Sequence, residues 1–373
     1  MRAERVLVVG GGLAGLSVGI AFTRAGSHVE VIEKADQWAD VGAGMYLPGN
    51  AHRAMEALGI GSVVRDRGFQ IGRQVFRDHT GRTLAEVDLQ EVWGSVGPCL
   101  AITRADLHRA LRDAVPDVDL RLGVEVAAMD QDGASARVDF TDRSSGEFDL
   151  LVGADGLNSS VRRHMSGHAE PSLVGQVSWR FIVDAEADLS NWTVMLGGAK
   201  TFLAVPLGGG RIYCYLDLSS HDGRDPTRGD PGRLEDVLGD FAAPATDLIR
   251  AATANGPVHF GATEEVVTDD WVTGRVVLVG DAAHATSPNM AQGAAMAFED
   301  AVVLGQCLSG HATVQEALGT YVTRRLPRIR WIRGQTHRRD RIRSLPAPVR
   351  NLSLRLAGNR IYRSNYAPLM TEP

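Results

Sequence analysis

Residues 5–33, RVLVVGGGLAGLSVGIAFTRAGSHVEVIE, decide the fold of this chain. The run Arg5–Val9 is apolar and rich in valine, which is typical of a strand buried on both faces of a parallel sheet. Residues 16–24 have a helical composition, and residues 27–32 form a second apolar run that leads into Glu33. The segment therefore predicts a strand, helix, strand unit and an α/β fold.

Three glycines between the first strand and the helix, Gly10, Gly12 and Gly15, have the spacing G-x-G-x-x-G. The first makes a tight turn, the second lets the backbone approach a pyrophosphate, and the third lets helix and strand pack closely. A pyrophosphate would lie at the helix N-terminus, where free N–H groups favour negative charge. Glu33 is placed to bind an adenosine ribose, so the segment predicts a dinucleotide site.

Two later segments repeat the pattern of an apolar strand followed by a turn with an acid. Residues 149–156 end in an Asp-Gly pair that contains Asp155, with Arg162 a few positions later. Residues 274–281 end in a Gly-Asp pair that contains Asp281. A carboxylate at a strand end suits sugar hydroxyls and an arginine suits phosphate, so both segments are candidate cofactor contacts.

With these motifs in order, the chain resembles the single-component FAD-dependent aromatic hydroxylases, which include salicylate, para-hydroxybenzoate and 6-hydroxynicotinate monooxygenases. The resemblance runs from Val6 to about Arg328 and includes His284 and Pro288 after the Gly-Asp pair. It implies an α/β fold with a Rossmann-like FAD-binding lobe, as in para-hydroxybenzoate hydroxylase, an inserted antiparallel-sheet substrate lobe and C-terminal helices.

The resemblance also divides the chain into discontinuous domains. The expected division is an FAD-binding domain at residues 1–75, 100–172 and 261–330, a substrate-binding domain at 76–99 and 173–260, and a basic helical segment at 331–373.

The activity implied is that of an FAD-dependent monooxygenase, which uses NADH or NADPH and O2 to hydroxylate a small aromatic or heteroaromatic substrate through a C4a-hydroperoxyflavin. In such enzymes the cofactor carries the oxygen chemistry, while the protein supplies a dry pocket and a positive field. The sequence has no second dinucleotide motif, which matches transient binding of the nicotinamide coenzyme and leaves NADH and NADPH open. An FAD-dependent epoxidase or reductase acting on a lipid or a polyketide natural product is the alternative.

The family pattern assigns the FAD contacts to residues spread along the chain. Asp281 would bind the ribityl chain, Arg104 a phosphate or the ribityl region, and Val126 would lie beside the adenine. The helix that begins near Gly293 would direct the positive end of its dipole at the flavin. The expected cofactor contacts are Gly10, Gly12, Leu13, Ala14, Gly15, Glu33, Lys34, Gly44, Arg104, Val126, Asp155, Gly280, Asp281, Gly293 and Ala294.

One motif departs from the common family pattern of Gly-Gln-Gly followed by small residues and an asparagine. Here Ala291 stands for the first glycine and Ala295 for the asparagine. This variant is similar to the branch of 6-hydroxynicotinate and 3-hydroxybenzoate hydroxylases. Backbone N–H groups at the helix N-terminus still face the flavin, so FAD binding remains the expectation.

The substrate pocket is expected under the strands of the inserted lobe. Tyr215 and Pro288 are the candidate catalytic residues, the latter near the point of oxygen transfer, whereas His284 is interpreted as a structural residue near the ribityl chain. Tyr213 shares the facing of Tyr215 in a strand of period two, and Tyr215 could equally lie on the other face of the sheet. The candidate substrate contacts are Met45, Tyr46, Leu47 and Tyr215, the first three following a turn with Gly42 and Gly44.

Charge is distributed unevenly along the chain. Residues 321–366 contain thirteen arginines and one acid, whereas the first 320 residues carry a net charge of −17. The acidic remainder is therefore the expected partner of the basic segment. Neither zinc-ligand spacing nor a basic-aromatic alternation accompanies it, and nucleic-acid binding is not expected. The arginines also keep the lipid alternative open.

The three cysteines, Cys99, Cys214 and Cys307, lie far apart, so neither a disulfide framework nor a metal site is expected. Residues 6–23 are uncharged, but their glycines fit the predicted strand and helix better than a signal peptide or a membrane span. We therefore expect a cytoplasmic protein without stable membrane insertion, as a monomer or homodimer. A flavin-dependent halogenase is disfavoured because its Trp-x-Trp-x-Ile-Pro signature is absent, and a flavoprotein without turnover is a minor alternative.

Overall fold

The computed structural model describes residues 3–38, 43–115, 118–165, 169–185, 189–255, 257–343 and 345–373. Its strands, in chain order, are β1 (Arg5–Val9), β2 (His28–Glu33), β3 (Gly44–Leu47), β4 (Phe69–Gln70), β5 (Arg73–Asp78), β6 (Thr83–Asp88), β7 (Leu100–Thr103), β8 (Asp119–Leu122), β9 (Val126–Gln131), β10 (Ala136–Phe140), β11 (Ser145–Phe148), β12 (Leu150–Gly153), β13 (Ser172–Asp184), β14 (Trp192–Gly197), β15 (Lys200–Gly208), β16 (Arg211–Ser219), β17 (His259–Glu265), β18 (Val272–Thr273) and β19 (Val276–Leu278). Its α-helices are α1 (Leu13–Arg24), α2 (Gly49–Ala57), α3 (Gly61–Arg67), α4 (Leu89–Trp93), α5 (Arg104–Asp113), α6 (Ser160–His164), α7 (Leu234–Leu238), α8 (Ala245–Asn255), α9 (Asp281–His284), α10 (Gly293–Gly310), α11 (Val314–Arg343) and α12 (Ala347–Tyr366).

A six-stranded sheet in the order β18-β19-β12-β1-β2-β8 organises the first lobe. Strand β1 pairs in parallel with both β2 and β12, and only β18 runs antiparallel to its neighbour. The predicted strand, helix, strand unit is confirmed, although the helix begins at Leu13 because Gly12 is its extended N-cap. The carboxyl ends of β1, β12 and β19 therefore meet at one edge of the sheet, where a ligand is expected.

A seven-stranded sheet in the order β17-β13-β16-β15-β14-β5-β6 forms the second lobe. The predicted hairpin at Gly208–Gly210 is confirmed, because β15 and β16 pair antiparallel on either side of it. One face of the sheet buries Val177, Trp179 and Phe181 in a separate apolar core with helices α7 and α8. Since side chains alternate along a strand, the residues between them point to the opposite face, toward the first lobe.

The C-terminal helices tie the two lobes together. Helix α10 packs on α1, α2 and α11, and α11 continues without interruption through position 330, where the sequence suggested a boundary. Helix α12 packs on β6 at Gly358, where an added Cβ would lie 2.5 Å from that of Ala85. Among the described residues, none of the helices has the length and apolar character needed to cross a bilayer.

Candidate functional site

A large cavity, of about 490 Å³, lies where the two lobes and the C-terminal helices meet. Its first-lobe side is formed by the starts of α1, α9 and α10, and its opposite side by the seven-stranded sheet, α11 and α12. Of the sequence-predicted site residues, those that line it are Gly12, Leu13, Ala14, Gly44, Met45, Tyr46, Arg104, Tyr215, Asp281, Pro288, Gly293 and Ala294.

The three glycines of the N-terminal motif have different surroundings. Gly10 has φ +108°, and an added Cβ would lie 2.5 Å from the carbonyl oxygen of Ala154. A Cβ on Gly15 would lie 1.9 Å from the carbonyl oxygen of Gly10, whereas a Cβ on Gly12 would meet nothing within 4 Å. The outer two glycines thus allow close packing, and the middle one opens the start of α1 to the cavity.

The groups around this opening suit the parts of FAD. The first N–H groups of α1 lack partners within the helix and have no side-chain cap, as an anion site requires. Asp281 is exposed at the start of α9, Arg104 is exposed at the start of α5, and a Cβ on Gly293 at the start of α10 would also meet open space. These groups fit the cofactor. The N–H donors and the arginine suit its phosphates, the carboxylate suits its sugar hydroxyls, and the glycine surface leaves room for its flat ring.

The remaining predicted residues do not line the cavity. Glu33 accepts the N–H groups of Gly11 at 2.9 Å and Ala35 at 3.0 Å, and Asp155 accepts four hydrogen bonds from the start of α6, including one from Ser160 N–H at 2.6 Å. The predicted residues that do not line the cavity are Gly10, Gly15, Glu33, Lys34, Leu47, Val126, Asp155 and Gly280. Gly42 lies outside the described residues.

A buried ionic cluster supports the starts of α9 and α10. Asp300 accepts the Gly280 N–H at 2.9 Å, the His284 Nε2 hydrogen at 2.7 Å and the Arg325 Nε hydrogen at 2.8 Å. Burial acts to raise the pKa of Asp300, but His284, Arg325 and the Gly280 N–H lower it to about 2. Glu299 beside it pairs with Arg325 at 2.6 Å. His284 thus holds the turn from β19 into Asp281.

The seven-stranded sheet presents an aromatic surface to the cavity. The Tyr46 and Trp192 rings lie 4.2 Å apart between centroids, and Tyr213 and Tyr215 both line the space, as their shared facing allows. The Trp192 Nε1 atom is buried without a hydrogen-bond partner among the described residues. Such a donor gains stability from a polar ligand, because a buried unpaired N–H is costly.

Charged groups stand beside these rings. Arg180 lies opposite Tyr215 in the strand register, with its guanidinium carbon 5.6 Å from the ring centroid, and it has no ion-pair partner within the part of the chain that the structure describes. Asp217, two residues along β16, pairs with Arg343 of α11 at 2.5 Å. Burial raises the pKa of Asp217 to about 6, although Arg343 opposes the shift.

Sequence reasoning missed Arg180, Asp217, Trp192 and Arg343. The first two could have been found, because Asp217 shares the facing of Tyr215 and Arg180 lies on the neighbouring strand that faces it. Arg343 carried no such signal, since it comes from a distant helix.

The chain matches a family model described as an FAD binding domain over residues 3–334. The chain belongs to the FAD-dependent aromatic hydroxylases. It is 33% identical to 3-hydroxybenzoate 6-hydroxylase 1 of Aquipseudomonas alcaligenes, over 87% of this chain and 86% of that one. It is 32% identical to aurachin C monooxygenase/isomerase of Stigmatella aurantiaca, over 87% and 85% of the two chains. The family assignment makes this chain a flavoprotein monooxygenase with FAD as its cofactor.

Among solved structures, the hydroxylase is similar to HpxO of Klebsiella pneumoniae complexed with FAD and uric acid. The TM-score is 0.90 with 26% identity, over 99% of this chain and 97% of the other. The two-lobed α/β fold implied by the resemblance is therefore confirmed. These relatives favour ring hydroxylation over the epoxidase or reductase alternative.

Proposed function

We propose that this hydroxylase holds a small aromatic or heteroaromatic ring between FAD and the wall formed by Trp192, Tyr213 and Tyr215. The proposal rests on one cavity of about 490 Å³ that is lined both by the starts of α1, α9 and α10 and by this aromatic wall. An aromatic wall favours a flat ring through stacking and edge contacts. Two of the relatives named above, a hydroxybenzoate hydroxylase and an enzyme solved with uric acid, support a small aromatic or heteroaromatic ring as the substrate.

The FAD-side residues have distinct proposed roles. The N–H groups of residues 12–14 and Arg104 hold the phosphates, and Asp281 holds the ribityl hydroxyls. The start of α10 at Gly293 and Ala294 faces the flavin ring with the positive end of the helix dipole. Bound FAD, reduced by NADH or NADPH, supplies the activation of O2 and the transfer of one oxygen atom. Pro288 closes the space beside the ring and helps to exclude water.

Substrate orientation is assigned to the charged side of the pocket. Arg180 is half-buried, has no ion-pair partner among the described residues and is therefore placed to bind an anionic substituent such as a carboxylate or phenolate. Phe76, Leu203 and Met45 provide the apolar surface that keeps the ring dry. We propose that the preferred substrate is an aromatic ring with one anionic group.

Flavin content tests the cofactor site. Purified protein should be yellow, with absorbance near ~450 nm, and Asp281→Ala should retain clearly less FAD after gel filtration. Asp270→Ala is the matched control, because Asp270 is also exposed but does not line the cavity. Colourless protein that cannot be reconstituted with FAD would refute the proposal.

Substrate screening tests the pocket. NADH and NADPH oxidation should be measured with hydroxybenzoates, urate and neutral phenols, and products identified by mass spectrometry. Arg180→Gln should raise KM for anionic substrates roughly tenfold or more, whereas Arg211→Gln, on the exposed end of β16, should not. An unchanged KM would remove Arg180 from substrate recognition. Light scattering of the same preparation tests the expected monomer or homodimer.

A further inference from the structure

Helix α12 exposes a row of large apolar side chains. Val349, Leu352 and Leu356 are 54%, 56% and 78% exposed, and their spacing of three and four residues puts them on one face of the helix. Ile342 and Leu345, just before α12, are 36% and 41% exposed. These five residues, the α12 strip, are half of the ten large apolar side chains exposed in the described part of the chain. Such concentration within fifteen residues marks an interaction surface.

Positive charge surrounds the α12 strip. Residues 341–371 contain six arginines and neither an aspartate nor a glutamate. Four exposed arginines beside the strip have no ion-pair partner among the residues described: Arg338, Arg341, Arg355 and Arg360. Arg338 and Arg341 line a shallow hollow together with Ile342 and Leu345, so charged and apolar groups share one surface. The surface that fits must therefore be both apolar and anionic.

The opposite face of α12 is part of the cavity wall. Leu354, Gly358, Ile361 and Tyr362 line the cavity, and none of the three residues of the strip on α12 does so. The helix thus has the apolar strip on one side and the pocket on the other. Ile342, the first residue of the strip, lines the cavity as well, so whatever docks on the strip lies close to the substrate site.

We propose that the α12 strip docks the protein on the surface of an anionic lipid bilayer. Apolar side chains would enter the interface between headgroups and acyl chains while the arginines contact lipid phosphates, as in amphipathic helices that lie in the membrane plane. A second copy fits this surface less well, because a two-fold contact through the same strip would oppose the arginines of one copy to those of the other. Docking would bring the pocket close to aromatic substrates dissolved in lipid; that link rests on the proposed function, whereas docking itself does not.

Vesicle sedimentation of the FAD-loaded protein tests the docking surface. Vesicles of phosphatidylcholine alone are compared with vesicles that also contain phosphatidylglycerol. The protein should bind the anionic vesicles, and binding should weaken as salt is added. The double variant Leu352→Glu, Leu356→Glu should lower the partition coefficient about tenfold or more, because it replaces apolar side chains with negative ones. Leu173→Glu is the matched control, since Leu173 is 48% exposed on strand β13 and should leave binding unchanged.

The outcomes separate the proposal from its rivals. Failure of the protein to bind anionic vesicles, or equal binding by the double variant, overturns it. A dimer that the double variant converts to a monomer, without vesicle binding, identifies a second copy as the occupant and also overturns it. FAD content and circular dichroism of every variant are measured first, so that loss of the fold is recognised. Oxidation of NADH and NADPH without vesicles tests the proposed function separately.

Discussion

Two buried aspartates in this protein have opposite electrostatic surroundings. Asp300, beneath the FAD side of the cavity, receives hydrogen bonds from a backbone N–H, a histidine and an arginine, and its pKa is lowered to about 2 against the effect of burial. Asp217, in the wall of the cavity, is as deeply buried but has Arg343 as its main compensating charge, and burial raises its pKa to about 6. Burial alone thus does not set the charge of a carboxyl group; the number of donors around it does.

The two aspartates therefore have different roles: Asp300 supports the fold, whereas Asp217 belongs to the pocket. A carboxylate with several donors stays ionised and holds α9, α10 and α11 in fixed positions. A carboxylate with fewer donors can change its charge near neutral pH, which is the behaviour found at many binding and catalytic sites. The two aspartates should therefore contribute to stability with opposite pH dependence. Asp300 should stabilise the fold above pH ~4 and lose that contribution as the pH falls toward 2, whereas Asp217 should destabilise it as the pH rises through 6.

Removal of Asp300 should have the largest effect. Asp300→Ala leaves the buried Arg325 with one carboxylate fewer and the Gly280 N–H without its acceptor. The free energy of unfolding should fall by about 3–5 kcal/mol, measured by urea denaturation, and FAD content should fall with it. Asp269→Ala, which removes an exposed ion pair with Arg330, should cost less than about 1 kcal/mol. Equal losses in the two variants would contradict the assigned supporting role.

Asp217→Asn should change the pH dependence of stability. In the wild type, a pKa of about 6 against an ordinary value of 3.8 makes the free energy of unfolding fall as the pH rises between these values. The variant lacks this titration, so its stability relative to the wild type should increase by about 2 kcal/mol from pH 4 to pH 7. Urea denaturation at several pH values measures the difference. A constant difference would mean that Asp217 is already ionised at pH 4.

Arg343→Ala tests the partner of Asp217. At pH 8 the variant leaves an ionised carboxylate buried without its arginine, and we expect a loss of about 1–3 kcal/mol. At pH 5 the aspartate is largely protonated, so the loss should be clearly smaller. Arg343→Lys keeps the positive charge and should recover part of the stability at pH 8. A loss of the same size at both pH values would assign Arg343 to packing instead.

Ala291→Gly should have the smallest effect. Ala291 lies in the turn just before α10. Ala291 has φ +50°, a left-handed conformation that favours glycine. Glycine at this position should raise the free energy of unfolding by roughly 0.5–1 kcal/mol. Ala295→Gly inside α10 is the contrasting control and should lower it by a similar amount. Destabilisation by Ala291→Gly would show that its methyl group contributes more by packing than its backbone costs.

Local sequence predicted much of the FAD lobe. The strand at Arg5–Val9, the helix after the glycines and the hairpin at Gly208–Gly210 were all readable, because periodicity and glycine spacing report on contacts within a few residues. The same logic would have extended the pocket to Asp217, which shares the facing of Tyr215. The uneven charge along the sequence also predicted that the arginine-rich segment pairs with the acidic remainder of the chain, as Arg328 does with Glu299.

Other features depend on how distant elements pack. The inner face of α12 lines the cavity because Gly358 allows the helix to approach Ala85, and no local pattern predicts which strand a helix will meet. Glu33 and Asp155 carry clear motif signals, and the structure adds that their carboxylates accept the N–H groups of Gly11 and Ser160.

The fold class, the FAD family and the glycine opening at the start of α1 follow from the residue types in a few short motifs. Which aspartate is ionised, which arginines are paired and which face of α12 meets solvent follow only from the packing of the folded chain. Charge state and exposure depend on the groups that surround a side chain in space, and those groups come from segments far apart in the chain.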